Sequence, residues 1–240
     1  MSESLADAVD RLYAAFESVP RPETIDRCDH CWTEQEAAAV LRPVPLRDLS
    51  ADELRPYAAS VLLTVGSVAD FRYFLPRILE IACTDGFNWP DLEPLAGRLR
   101  DAEWETWTAE EQAAIRGVLW ASWRQVLSGH PDNWGADTVL CAIGNAEDDL
   151  TPYLDEWAAS LRRTAAANEL RDLLQYSTSW RSEVPRLTNA FWDGRDAQVI
   201  EWLTGPALRA ALAEARANAA TRDAREPLVE VEAVFASRGR

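Results

Sequence analysis

Apolar residues recur at helical spacing along most of the chain. In residues 3–18, Leu5, Val9, Leu12, Tyr13 and Phe16 fall on one face of a 3.6-residue period, which predicts an amphipathic helix. Pro20 and Pro22 end it. The clearest pattern lies between Pro45 and Cys83. There Leu54, Ala58, Val61, Leu62 and Val65 make one stripe, and Phe71, Phe74, Leu75, Ile78, Leu79 and Ala82 make a second. The two helices this predicts are joined at Gly66 and Ser67. Gly66 ends the first in a left-handed conformation, and Ser67 caps the second with Asp70 three residues on. Pro76 lies inside the second stripe, so that helix is expected either to bend near Arg72 or to begin later than the stripe suggests.

Helix starts are marked independently of the stripes. Thr33, Ser50 and Thr108 are each followed three residues later by a glutamate, Glu36, Glu53 and Glu111. In this capping box the hydroxyl accepts from the glutamate's amide, and the carboxylate reaches back to the amide of the cap residue. The box at Thr108 opens a helix carrying Ile115, Val118, Leu119, Trp120, Trp123, Val126 and Leu127 to about Ser128. Shorter helices are expected near 91–101, 136–144, 149–163, 164–177, 181–191, 196–203 and 206–221, the last opened by Gly205 and Pro206. The tail, from Glu226 to Phe235, alternates in part and reads as one short strand.

No strand–helix alternation of the βαβ kind is present, and no Gly/Ser-rich linker divides the chain. The fold class expected is all-α, a single domain of stacked antiparallel helix pairs forming a short HEAT-like α-solenoid. It comprises an N-terminal helix and CxxC loop (1–44), a helix-pair array (45–222) and a tail (223–240). An internal likeness supports this expectation. Val61, Leu62, Gly66 and Asp70 match Val139, Leu140, Gly144 and Asp148 at one common offset. That offset is about two periods of the ~40–47-residue helical repeats. The plainer alternative is chance similarity between two helices rich in Ala, Leu and Val.

Charge changes the picture more than length does. The 240 residues carry 40 acidic and 24 basic side chains, a formal net charge of −16, and every basic residue is an arginine. A surface of this sign repels phosphate backbones, so no nucleic-acid partner is expected. It steers basic partners instead, with an effect that weakens as salt rises. The apolar run Tyr57–Val65 is far shorter than the roughly 20 residues of a spanning helix, so no membrane partner is expected either. Four cysteines without a signal peptide point to reduced thiols in a cytoplasm.

Four groups of residues are candidates for chemistry or binding. Cys28, His30 and Cys31 form a CxxC loop. Two thiolates at this spacing can grip zinc, with His30 or a distant Cys83, Cys141 or His130 completing a tetrahedral set. The same spacing serves dithiol redox chemistry, though in redox enzymes it follows a strand, and two plain thiols packing a loop is the simplest reading. The tryptophan pairs Trp104/Trp107 and Trp120/Trp123 suit an aromatic cage, but aromatics at helical spacing are expected in a core. Trp89 and Trp134 stand apart in turn-rich loops, where they are candidate partner-binding anchors unless they fold back over the helices. The acidic clusters Glu110–Glu111 and Glu147–Asp148–Asp149 lie at helix N-termini, where the helix dipole favours them. Asp148 and Asp149 are also candidate contacts for a basic partner. No nucleophile elbow and no phosphate-cradling glycine loop is present.

The segments Cys28–Cys31, Pro45–Ala58 and Thr64–Glu80, above all DFRYFLPRILE at 70–80, resemble an uncharacterised family of bacterial helical proteins over residues 25–160. The resemblance implies a helical fold and carries over no catalytic residue and no cofactor. Alkylpurine glycosylases, a helical-repeat enzyme class, need a basic DNA channel that this charge does not supply. The function expected is therefore a non-enzymatic cytoplasmic binding module, adaptor- or immunity-like, for a basic protein partner. The alternative is a metal protein using Cys28 and Cys31, with zinc as the possible ion.

Overall fold

The four hydroxyl–acid pairs cap helices as their spacing requires. In the computed structural model, which describes residues 3–129, 134–181 and 184–238, Thr33, Ser50 and Ser67 each form a complete capping box. The fourth closes with the Thr108 amide donating to Glu111 at 3.0 Å and the Glu111 amide donating to Thr108 Oγ1 at 3.2 Å. Of the described residues, 67% are helical, in twelve α-helices and short 3-10 turns, against one two-stranded sheet, which places the chain in the all-α class. Contacts within the chain gather into two compact units, Met1–Ser122 and Trp123–Arg240. Their division falls inside the helix Ala109–Ser128.

The first unit contains α1 (Leu5–Ala15), α2 (Glu34–Val40), α3 (Ala51–Ser60), α4 (Val68–Cys83), α5 (Leu92–Asp101) and the start of α6 (Ala109–Ser128). α4 is its centre, with α1, α3 and α5 packed on it. Phe71, Phe74, Leu75, Ile78 and Leu79 on α4 are buried. Pro76 lies inside this helix. The missing amide costs one backbone hydrogen bond, yet the helix runs from Val68 to Cys83 without a later start.

The first central helix is shorter than its apolar stripe. α3 stops at Ser60. Val61 then turns extended, Leu62 takes a φ of 62°, and Leu62 N donates to Val65 O at 3.0 Å. Val61 and Val65 still reach the core, but from a turn. The cause is tertiary. Cys28 N donates to Thr64 O at 2.9 Å, Gly66 N donates to Asp26 O at 2.7 Å, and Arg27 bridges to Val65. Pairing with residues 26–28 takes these backbone groups from the helix. Gly66 is left-handed as expected, with a φ of 72°.

The second unit contains the end of α6, then α7 (Ala136–Ala146), α8 (Thr151–Ser160), α9 (Thr164–Tyr176), β1 (Thr178–Arg181), β2 (Val184–Leu187), α10 (Ala197–Thr204), α11 (Pro206–Asn218) and α12 (Arg222–Arg238). Its core is built on indoles. Trp123 and Trp157 meet edge to face at 5.1 Å, and Trp157 stacks on Trp202 at 5.2 Å. Buried indole N–H groups need acceptors. Trp123 finds Tyr153 O and Trp157 finds Ala166 O, both at 3.0 Å. α12 packs along α9.

Three expectations are corrected here. The α-helix expected over 181–191 is not found among the described residues there: β1 and β2 pair antiparallel, with Trp180 opposite Pro185 and Thr178 opposite Leu187. Pro185 has no amide to donate, which disfavours a helix interior and is tolerated on an edge strand. The tail is not a strand: Leu228 and Val231 are buried on α12, and Phe235 meets Trp180 at 5.9 Å. Their spacings of three and four residues are helical. The internal likeness does not extend to structure. Residues 61–65 are a turn whereas 139–143 are helix, and Gly144 lies inside α7 rather than at a helix end. Gly144 is needed for a different reason, since a Cβ there would come within 2.8 Å of the Trp192 ring. The likeness therefore gives no support to a HEAT-like register.

Candidate functional site

Two surface features of the first unit are built by the core beneath them. The first is the CxxC loop. Cys31 N and Trp32 N both donate to Cys28 O at 2.9 Å, which closes residues 28–31 into a tight turn. Trp32 is buried and meets Tyr57 edge to face at 6.3 Å. The turn is thus held at one end by a core aromatic and at the other by the Cys28–Thr64 backbone bond. Both thiols are free and exposed. The backbone amide of His30, then the Cys31 thiol and amide, hydrogen-bond to the Cys28 sulfur and hold its pKa below the usual thiol value. The Cys31 thiol, donating to Cys28, is pushed up. Leu63, on the neighbouring turn, is 62% exposed.

His30 contributes its backbone to this loop, and its residue is exposed. Among the described residues no three His, Cys, Asp or Glu are grouped so as to hold a metal ion, so Cys28 and Cys31 stand as a pair. Cys83 is buried in α4, where burial raises its thiol to about 11, and Cys141 is buried in α7. His130 lies outside the described residues.

The second feature is the loop after α4. Gly86 N donates back to Ile81 O at 2.8 Å, and Gly86 and Asn88 both have positive φ, 74° and 61°. These two left-handed residues set the path of the loop between α4 and α5. As a result Phe87 is 2% exposed and Pro90 is buried, while Trp89 between them is 55% exposed. The indole is held outward by buried residues on both sides. Asp85 is exposed nearby in sequence, and Asp91 leads into α5 without spending its side chain on a cap bond.

The other expected contacts lie in the second unit. Trp134 is half-buried. Asp149 is exposed but accepts from Thr151 N at 2.9 Å, and the Thr151 hydroxyl and amide lower its pKa. Asp148 is exposed, and its carbonyl accepts from Gln198 Nε2 at 2.6 Å. Trp104 and Trp123 are buried, and Trp107 is half-buried against Phe16 and Phe71. Glu111, one of the acidic pair at the start of α6, is buried. Burial alone would raise its pKa, but its bonds to Arg72 and Thr108 outweigh this and lower it.

Two carboxylates at the N-terminus of α7 escape sequence reasoning. Glu169 accepts from Ala136 N at 2.7 Å, and Asp137 faces Ser177, Asn189 and Trp192. Burial raises the pKa of both. Glu169 reaches Ala136 from α9, and the partners of Asp137 are Ser177, just past α9, and residues following β2, so no local motif announces them. In comparisons with family models, with curated proteins and with solved structures, no match to this chain was found.

Proposed function

We propose that the chain is a non-enzymatic binding module for a basic protein segment, with Trp89 as its anchor. The observation that carries this reading is the outward display of Trp89 between buried Phe87 and Pro90. A loop whose backbone is pinned by buried residues on both sides of the indole loses less freedom on binding, which favours a preorganised contact. Aromatic anchors of this kind dominate binding energies, and the indole face attracts guanidinium or ammonium groups by about 0.5–2 kcal/mol. Asp85 and Asp91 bring carboxylates to the same loop, within a chain of net charge −16. Those charges act mainly on encounter rate and choice of partner.

The compartment read from this account is the cytoplasm, on the support of four free thiols. No helix among the described residues is long and apolar enough to cross a membrane. The test is the binding of a fluorescently labelled arginine-rich peptide, against a glutamate-rich peptide of equal length, at about 50 mM and about 300 mM salt. The expected result is binding of the arginine-rich peptide alone, weakened at the higher salt. Equal binding of both peptides, or of neither, contradicts the reading.

A further inference from the structure

We propose that Cys28 and Cys31 form a redox-active dithiol that closes to an intramolecular disulfide by exchange with small-molecule disulfides. This stands independently of the partner reading. The geometry comes from the backbone. Residues 28–31 close a turn through Cys31 N to Cys28 O at 2.9 Å. A turn of this kind keeps its first and fourth Cα atoms within about 7 Å, and a disulfide needs Cα atoms roughly 4.4–6.8 Å apart. Closure therefore asks for side-chain rotation in a loop whose ends stay pinned at Thr64 and by buried Trp32.

Access separates this pair from the chain's other thiols. Cys28 and Cys31 are exposed, whereas Cys83 and Cys141 are buried. Exchange requires in-line approach of a thiolate to a disulfide sulfur, which only the exposed pair permits. Cys28 is the attacking residue, because its thiol is held below the usual thiol pKa while that of Cys31 is pushed up, which favours the Cys28 thiolate. In the first step the Cys28 thiolate bonds to one sulfur of the small disulfide and expels the other half as a thiolate. In the second, Cys31, its proton lost to solvent, bonds to Cys28 Sγ and expels the remaining half. One S–S bond is broken and one formed; the protein's two thiols are oxidised, and the small disulfide leaves as two thiols. A transient, reversible disulfide of this kind is the form compatible with a reducing compartment.

The test uses the full chain, reduced, with oxidised glutathione as the probe and mass spectrometry as the readout. The wild type is expected to lose two hydrogens, with Cys28 linked to Cys31 in the digest and no adduct retained. Cys31→Ser is expected to stop at a glutathione adduct on Cys28. Cys28→Ser is expected to react about tenfold more slowly, at Cys31. Both positions are exposed, so the serine variants fold, and Cys83→Ser serves as a variant that closes like the wild type. A stable glutathione adduct on the wild type, a disulfide between two chains, or equal rates for Cys28→Ser and Cys31→Ser would overturn the proposal.

Discussion

A Cβ at Gly66 would lie 2.8 Å from the hydroxyl oxygen of Tyr57. Tyr57 is fully buried, between Trp32 and Phe74, so its ring has little room to retreat. Gly66 also has a φ of 72°, which costs an L-residue about 1–2 kcal/mol. Both effects act on the turn that pairs with residues 26–28. Gly66→Ala is therefore expected to destabilise the protein by about 2 kcal/mol or more, seen as a lower urea midpoint. A change within about 0.5 kcal/mol would show that the turn relaxes freely.

The indole cluster of the second unit gives a second expectation. Trp157 is fully buried between Trp123 and Trp202 and donates to Ala166 O. Trp157→Ala removes the middle ring of three and leaves a cavity, at an expected cost of about 3–5 kcal/mol. Urea unfolding followed by circular dichroism measures it. A loss below about 1 kcal/mol would mean that the flanking rings close the gap.

Two carboxylates titrate with opposite consequences. The folded-state pKa of Glu111 lies below its ordinary 4.5, because bonds to Arg72 and Thr108 overcome its burial. Its contribution is present above that ordinary value and is lost as pH falls through the folded pKa. Glu111→Gln is thus expected to be less stable than wild type at neutral pH, by a margin that shrinks on acidification below about 4.5. Asp137 runs the other way. Burial raises its pKa above the ordinary 3.8, so the folded state holds the proton longer than the unfolded chain. Its contribution is full below 3.8 and declines as pH rises through the folded value. Asp137→Asn is expected to gain on wild type as pH rises across that window. Stability curves for both variants against pH check the signs, and parallel curves would contradict them.

The features legible in the sequence were those set by a few neighbouring residues. The capping boxes at Thr33, Ser50 and Thr108 form because hydroxyl and carboxylate need only a three-residue spacing. The end of α3 was not legible. Val61 and Val65 have the same apolar character in a helix or a turn, and the choice is made by Asp26 and Cys28, more than thirty residues away. In α12, alternating valines and glutamates satisfy a strand period in places, and packing on α9 and α11 favours the helix. At the candidate site, turn-forming residues marked the loop around Trp89. The burial of Phe87 and Pro90 that holds the indole outward depends on the packed fold. Asp137 and Glu169 were invisible for the same reason, since their environment comes from residues distant in sequence.

The most direct test of the central claim is the affinity of Trp89→Ala for the arginine-rich peptide at about 50 mM salt. Trp89 is mostly solvent-exposed, so the substitution is expected to change unfolding by no more than about 0.5 kcal/mol. Affinity is expected to fall at least about tenfold, equivalent to about 1.4 kcal/mol. Equal affinity of Trp89→Ala and wild type, with both folded, would contradict the account.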